Sequence, residues 1–177
     1  MRLLLLAGLT AASLAAADIA GTTFPDRLAV AGQDLPLRGT ALQRWKVVFK
    51  VHTTGWWQDP ASAVLADVPK ALELHYFHDI EAAHFRQATQ DGFARGRSAA
   101  DLAALAPGLA TWNAAYVDIR EGQRYRITYD PAHGTTLSRD GTDLVTVPGV
   151  AFMEAIFGIW LGAHPVDRGH REDLLDG

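Results

Sequence analysis

The order of elements along this chain predicts an α+β domain, an antiparallel sheet with helices on one face. Three observations predict it. Segments of period two, among them "KALELHYFHD" and "QRYRITYD", stand on either side of two helical stretches. Asp140-Gly141 marks a tight hairpin inside "TTLSRDGTDLVTV". The stretch "GVAFMEAIFGIWLGAHP" is apolar nearly all round, as a helix buried in a core is.

The first 17 residues have the layout of a secretory leader. Arg2 precedes an apolar run over 3–14, and Ala15, Ala16 and Ala17 stand before Asp18. The run falls short of the roughly 20 apolar residues of a membrane span. Cleavage after Ala17 leaves residues 18–177 as one domain, periplasmic or secreted, with no further span. The chain has no cysteine, hence no disulfide, thiol nucleophile or thiolate metal site. A formal charge of −4 and no basic stripe argue against nucleic acid as a partner.

"FPDRLAVAGQDLPLRG" reads as a hairpin or small ribbon, punctuated by Gly32, Asp34 and Gly39. A long strand follows over 43–57. Alternation puts Val47, Phe49, Val51, Thr53, Gly55 and Trp57 on one face and Val48, Lys50, His52, Thr54 and Trp56 on the other. Neither face is purely polar, so both are covered at least in part. Asp59 and Pro60 open a short helix in "DPASAVLADV". After the strand in "KALELHYFHD", Asp79 caps a helix that runs to about Ala94, with Gly96 just past its end.

Ser98 and Asp101 form a capping box, after which Leu102, Leu105, Leu109, Trp112, Tyr116 and Ile119 repeat at helical spacing. Pro107-Gly108 kinks that helix or splits it. In "QRYRITYD", Tyr125, Ile127 and Tyr129 take one side and Arg124 and Arg126 the other. The last long helix, over 150–161, sets Val150, Met153, Phe157 and Trp160 in a bulky buried stripe, so Trp160→Ala is expected to cost about 3–5 kcal/mol. A short amphipathic tail follows.

The chain contains no GxGxxG, P-loop, GxSxG or HExxH, so no cofactor is expected. His75 and His78, three apart on a strand, point to opposite faces, and with His84 on the next helix they make no metal site. Arg124 and Arg126 could hold an anion, although a solvated strand face is the plainer reading. Glu154 is placed at the exposed edge of its helix. His52 and Thr54 share a face with Trp56. They are either polar groups bonded to strand neighbours or anchors among aromatics in a small-molecule pocket, and the residues alone leave both open.

The block "YDPAHGTTLSRDGTDLVTVPGVAFMEAIFGIWLGAHPVD", with "FKVHTTGWW" after "LPLRGTALQ" and with "PKALELHYFHDI", resembles the bacterial chalcone isomerase-like proteins over about residues 21–175. The resemblance implies an open-faced β-sandwich, a large antiparallel sheet under a helical layer with a cleft between them. Plant members close a flavanone ring from a chalcone, using an arginine, a threonine and a tyrosine–asparagine pair. Relatives without that activity bind fatty acids. Carried onto this chain, Gln43 stands in the arginine's place with Arg44 beside it. His52 replaces the threonine, Phe85 the tyrosine and Gly92 the asparagine.

The reading that follows is a non-catalytic protein holding a small apolar or amphiphilic ligand, such as a fatty acid. Its cleft would involve Gln43, Arg44, His52, Thr54, Phe85 and Gly92. The first alternative is an isomerase or lyase, adding a nucleophile to an enone within one molecule. His52 would be its base, and Arg44 its cation if a bulge brings it round. The second is a structural or partner-binding protein with a filled cleft.

Overall fold

A computed structural model describes residues 16–46 and 48–176 of the chain. The leader expected over 1–17 therefore falls mostly outside the described residues. Ala16 and Ala17 open the first strand.

Strands β1 (Ala16–Ile19) and β2 (Thr22–Pro25) pair as a small antiparallel ribbon. Then β3 (Arg27–Val30), β4 (Gln33–Trp45), β5 (Phe49–Gln58), β6 (Lys70–Tyr76), β7 (Arg124–Asp130), β8 (Gly134–Arg139) and β9 (Thr142–Val147) lie in sequence order as one antiparallel sheet. Helices α1 (Ala82–Ala94) and α2 (Ala99–Ala115) come between β6 and β7, and α3 (Val150–Leu161) and α4 (Arg168–Asp176) follow β9.

Alternation explains the core. Trp56, Leu72, Leu74, Tyr125, Ile127 and Leu137 point to the helical side and pack with Phe93, Trp112, Phe152, Met153 and Phe157. On the other face Trp57 and Ala71 pack with Phe24, Val30 and Leu35 under the ribbon and the β3–β4 hairpin. The adjacent Trp56 and Trp57 are thus both buried, one in each layer, which is why neither face of β5 reads as polar.

The strand expected over 43–57 is not continuous. The chain turns at Lys46, whose φ is +48°, so the segment is the end of β4, a turn and all but the last residue of β5. The β4–β5 ladder also carries a bulge. Gln43 pairs with His52 and Arg44 with Lys50, which leaves Val51 extra. Val51 and His52 both line the cleft described below, whereas Lys50 joins Arg44 on the opposite face. The alternation drawn from the sequence therefore fails on the turn side of His52.

"DPASAVLADV" forms turns, not a helix. Its carbonyls are taken from outside. Buried Lys70 donates to Val64 O at 3.1 Å and to Ala66 O at 2.5 Å, and Gln58 donates to Ala63 O at 2.8 Å. Helix α1 begins at Ala82 without the Asp79 cap. Asp118 accepts from the Ala82 N–H at 2.9 Å, and Asp79 instead holds Arg120 and the Glu121 N–H. The Ser98–Asp101 capping box is present, but α2 runs unbroken through Pro107. Gly108 lets Val147 and Phe152 press close on that turn, and this packing outweighs the proline's local preference.

Arg124 and Arg126 do not face solvent alone, since both grip the buried Glu73 of β6. In α3, Met153 and Phe157 are fully buried, Val150 is exposed and Trp160 is half-buried against the cleft. The cost of emptying an enclosed core site therefore does not apply in full to Trp160.

Helix α4 lies on β4, and Gly39 sets how closely. A Cβ at Gly39 would overlap the Leu174 carbonyl group, which is backbone and cannot rotate away. Gly39→Ala is expected to pry α4 from the sheet at a cost of about 1–3 kcal/mol. A lower denaturant midpoint, with faster protease cleavage near the C-terminus, checks it.

Candidate ligand cleft

Between the sheet and the helices lies a cleft of about 460 Å³. Strands β4 to β8 supply its floor, α1 and α3 its roof, and the segment between α3 and α4 one end. The walls are mostly apolar, with Leu74, Ile80, Phe85, Ile127, Ile159 and Trp160 among them. Tyr76, Phe85, Tyr116 and Tyr125 form one aromatic cluster. Phe85 stacks on Tyr116 at 5.6 Å between ring centres and meets Tyr76 and Tyr125 edge-on at 5.3 and 5.1 Å.

Two of the three tyrosine hydroxyls are engaged by protein. Tyr125 donates to Val117 O at 2.6 Å. The Tyr116 hydroxyl lies 2.8 Å from Thr89 Oγ1 and accepts from Trp112 Nε1 at 2.9 Å. Burial raises the pKa of all three phenols, so they stay neutral.

His52 is linked inward. Its Nδ1 lies 3.1 Å from Thr54 Oγ1, and Thr54 Oγ1 lies 3.1 Å from His170 Nε2 on α4. Asp167 accepts from the His170 N–H at 3.0 Å and from Gln43 Nε2 at 3.2 Å. Burial first, and the nearby His170 second, push His52 down to about 3. Burial pushes His170 down to about 4, against the pull of Asp167 and Asp173. Both imidazoles are therefore neutral near pH 7.

The chain of bonds has a direction. Thr54 has one O–H, so it can donate to only one of the two histidines, and if both donated to it that buried O–H would go unmet. His170 Nδ1 is buried without a partner. An unmet lone pair is easier to tolerate there than an unmet N–H. We therefore assign the hydrogen of His170 to Nε2, donating to Thr54, which donates to His52 Nδ1. His52 then presents an Nε2–H donor, and not a free base.

Of the residues singled out in the sequence, Gln43, His52 and Phe85 line this cleft. Thr54 sits fully buried behind His52. Gly92 lies where α1 meets α3. A Cβ there would stand 2.8 Å from Ile159 Cγ1, so its role is close helix packing. Arg44 lies on the other face with Thr40, Leu42, Lys50, Asp173 and Asp176. The bulge exists, but it does not turn Arg44 into the cleft. Sequence reasoning missed Tyr76, Tyr116, Trp160, Asp167 and His170. Tyr116 and Trp160 carry the spacing of core residues, and nothing local marks Tyr76, Asp167 or His170.

His75 contacts Thr22 Oγ1 at 3.0 Å behind the sheet, and His84 stands at the cleft mouth. Among the described residues, no group of three metal-ligating side chains is placed to hold an ion.

A family model described as chalcone isomerase-like matches residues 16–176. Among solved structures, a fatty-acid binding protein of Arabidopsis thaliana superposes with a TM-score of 0.69. It is 16% identical, over 92% of this chain and 96% of that one. At such identity the likeness shows the fold alone, a curled antiparallel sheet with its helical layer. No curated protein matches the chain.

Proposed function

Because the chain belongs to the chalcone isomerase-like family, we propose that it binds a small apolar or amphiphilic molecule, such as a fatty acid, in this cleft without transforming it. The cleft itself carries the reading. Its volume of about 460 Å³, apolar walls and few polar groups are those of a small-molecule site. The fatty-acid binding protein that shares the fold supports it. The His52 Nε2–H suits a carboxylate, ester or hydroxyl oxygen at the head of such a ligand.

Catalysis by enone addition needs fixed donors or a cation where negative charge develops. Phe85 has no hydroxyl, Arg44 faces away, and His52 is a poor base with its pKa near 3. Purified protein is expected to leave the spontaneous cyclisation of a chalcone unaccelerated. Turnover that vanishes in His52→Ala would instead establish the isomerase reading.

The binding test is titration with oleate, followed by tryptophan fluorescence. Saturable binding is expected, and Ala88→Trp, which fills the mouth from α1, is expected to weaken it about tenfold. No binding, or binding indifferent to Ala88→Trp, would remove the proposal. We also propose that residues 1–17 are a leader and that the protein works in the periplasm or outside the cell. Cleavage after Ala17 would keep the Asp18–Thr23 and Ile19–Thr22 pairs of the ribbon. Intact mass from the native host, beginning at Asp18, checks it.

A further inference from the structure

Among the described residues, the three most exposed large apolar side chains lie at one place. Trp45 is 58% exposed, Val48 73% and Phe49 54%, all at the turn between β4 and β5. Folding gains nothing by holding them in water, and apolar clusters of this kind mark contact surfaces. The rings of Trp45 and Phe49 rest on each other, 5.9 Å between centres. Lys46 Nζ lies 4.4 Å from the centre of the Trp45 ring. Arg44 and Lys50 form the next ladder pair, on the opposite face of the hairpin, where Lys50 Nζ lies 3.5 Å from the Ala20 carbonyl oxygen.

We infer that this hairpin tip docks on an anionic membrane surface and sets the cleft mouth against it. Charge supports the choice of partner. Arg44, Lys46 and Lys50 make no ion pair with any described residue, whereas the chain as a whole carries a formal −4. Of the acids nearby, Asp79 is held by Arg120, and Glu81, Asp173 and Asp176 pair with none of the three cations. A tryptophan, a phenylalanine and an aliphatic residue, with Lys46 over the Trp45 ring and Arg44 and Lys50 behind, form an interfacial anchor. The rings enter the headgroup layer and the cations meet lipid phosphates. A protein partner would need about 800 Å² of surface on each side, and three side chains at the point of a turn do not offer it.

The second observation is continuity. A groove runs from Trp45 and Phe49 past Val51 and Ile80 to His84. Val51, Ile80 and His84 also line the cleft. An acyl chain leaving a bilayer at the tip would have an apolar path to the cleft. This purpose rests on the ligand-binding reading, but the docking itself does not.

Co-sedimentation with lipid vesicles tests it. The full chain is expected to bind vesicles of phosphatidylcholine mixed with phosphatidylglycerol, weakly to bind phosphatidylcholine alone, and to be released by salt. Trp45→Ser with Phe49→Ser is expected to lower the partition about tenfold or more. Lys46→Glu is expected to lower the preference for anionic vesicles by about tenfold. Both variants alter exposed side chains, so their circular dichroism should match the parent's. Oleate affinity measured without vesicles should also match, which separates failure of docking from failure of cleft binding. Absence of binding to either vesicle would overturn the inference, as would binding that survives the double serine change. A dimer in ultracentrifugation that the double change dissolves would assign the tip to a second copy instead, and would also overturn it.

Discussion

Lowering the pH from about 7 to about 5 is expected to destabilise the fold by about 3 kcal/mol, most of it through His52 and His170. Both have folded pKa values, about 3 and about 4, below the unfolded value of 6.5. Between those limits the unfolded chain binds protons that the folded chain refuses. Stability is therefore full above about pH 7 and falls by up to about 1.4 kcal/mol per pH unit for each histidine. Asp167, held low by the His170 N–H and by Gln43, acts in the same direction. Its depressed pKa adds stability that disappears only at the acid end. Urea unfolding at the two pH values measures the difference. His170→Gln, neutral at every pH, is expected to remove about half of it. A midpoint that does not move with pH would show that the Thr54-linked histidines are solvated.

Glu73→Gln is expected to cost about 2–4 kcal/mol. The Glu73 side chain is 4% exposed, whereas Arg124 and Arg126 are 30% and 37% exposed. Arg124 Nη1 reaches one carboxylate oxygen at 2.5 Å, and Arg126 Nε the other at 2.7 Å. Removing the single anion strands two cations side by side. Breaking a buried pair costs about 3–5 kcal/mol, and the partial exposure of the arginines lowers the figure. Arg124 also lies over the Phe24 ring at 5.4 Å, so the loss should loosen the β1–β2 ribbon. Chemical denaturation reads the cost. Glu73→Leu combined with Arg124→Leu and Arg126→Met should recover most of it, because an apolar layer needs no counter-charge. A triple variant no better than Glu73→Gln would mean that packing, not charge, is what Glu73 supplies.

Local chemistry made some elements legible from the sequence. Asp140 and Gly141 both take positive φ, +48° and +82°, as a tight hairpin turn demands. The alternation of β7 appears directly in its burial. Elements decided by distant groups were not legible. Lys70 unmade the helix expected in "DPASAVLADV" by taking its carbonyls, and packing against Gly108 carried α2 through Pro107. The site follows the same division. Alternation placed His52, Thr54 and Trp56 on one face, and the resemblance pointed to Gln43 and Phe85. His170 meets Thr54 across a separation of 116 residues, which no local pattern encodes.

The extra residue in β5 also governs how this chain should be aligned with others. In a regular ladder, Phe49 and His52 would face opposite ways. With Val51 accommodated outside the pairing, they face the same way. A chain lacking one residue here would keep every orientation on both sides if the missing residue is the one at 51. An alignment that moves the gap into the turn shifts each tip residue by one and exchanges inward for outward. The counterpart of Lys50, which faces away, is then matched to Val51 and assigned to a cleft it does not enter, so homologous sites should be matched by ladder partner before they are matched by position.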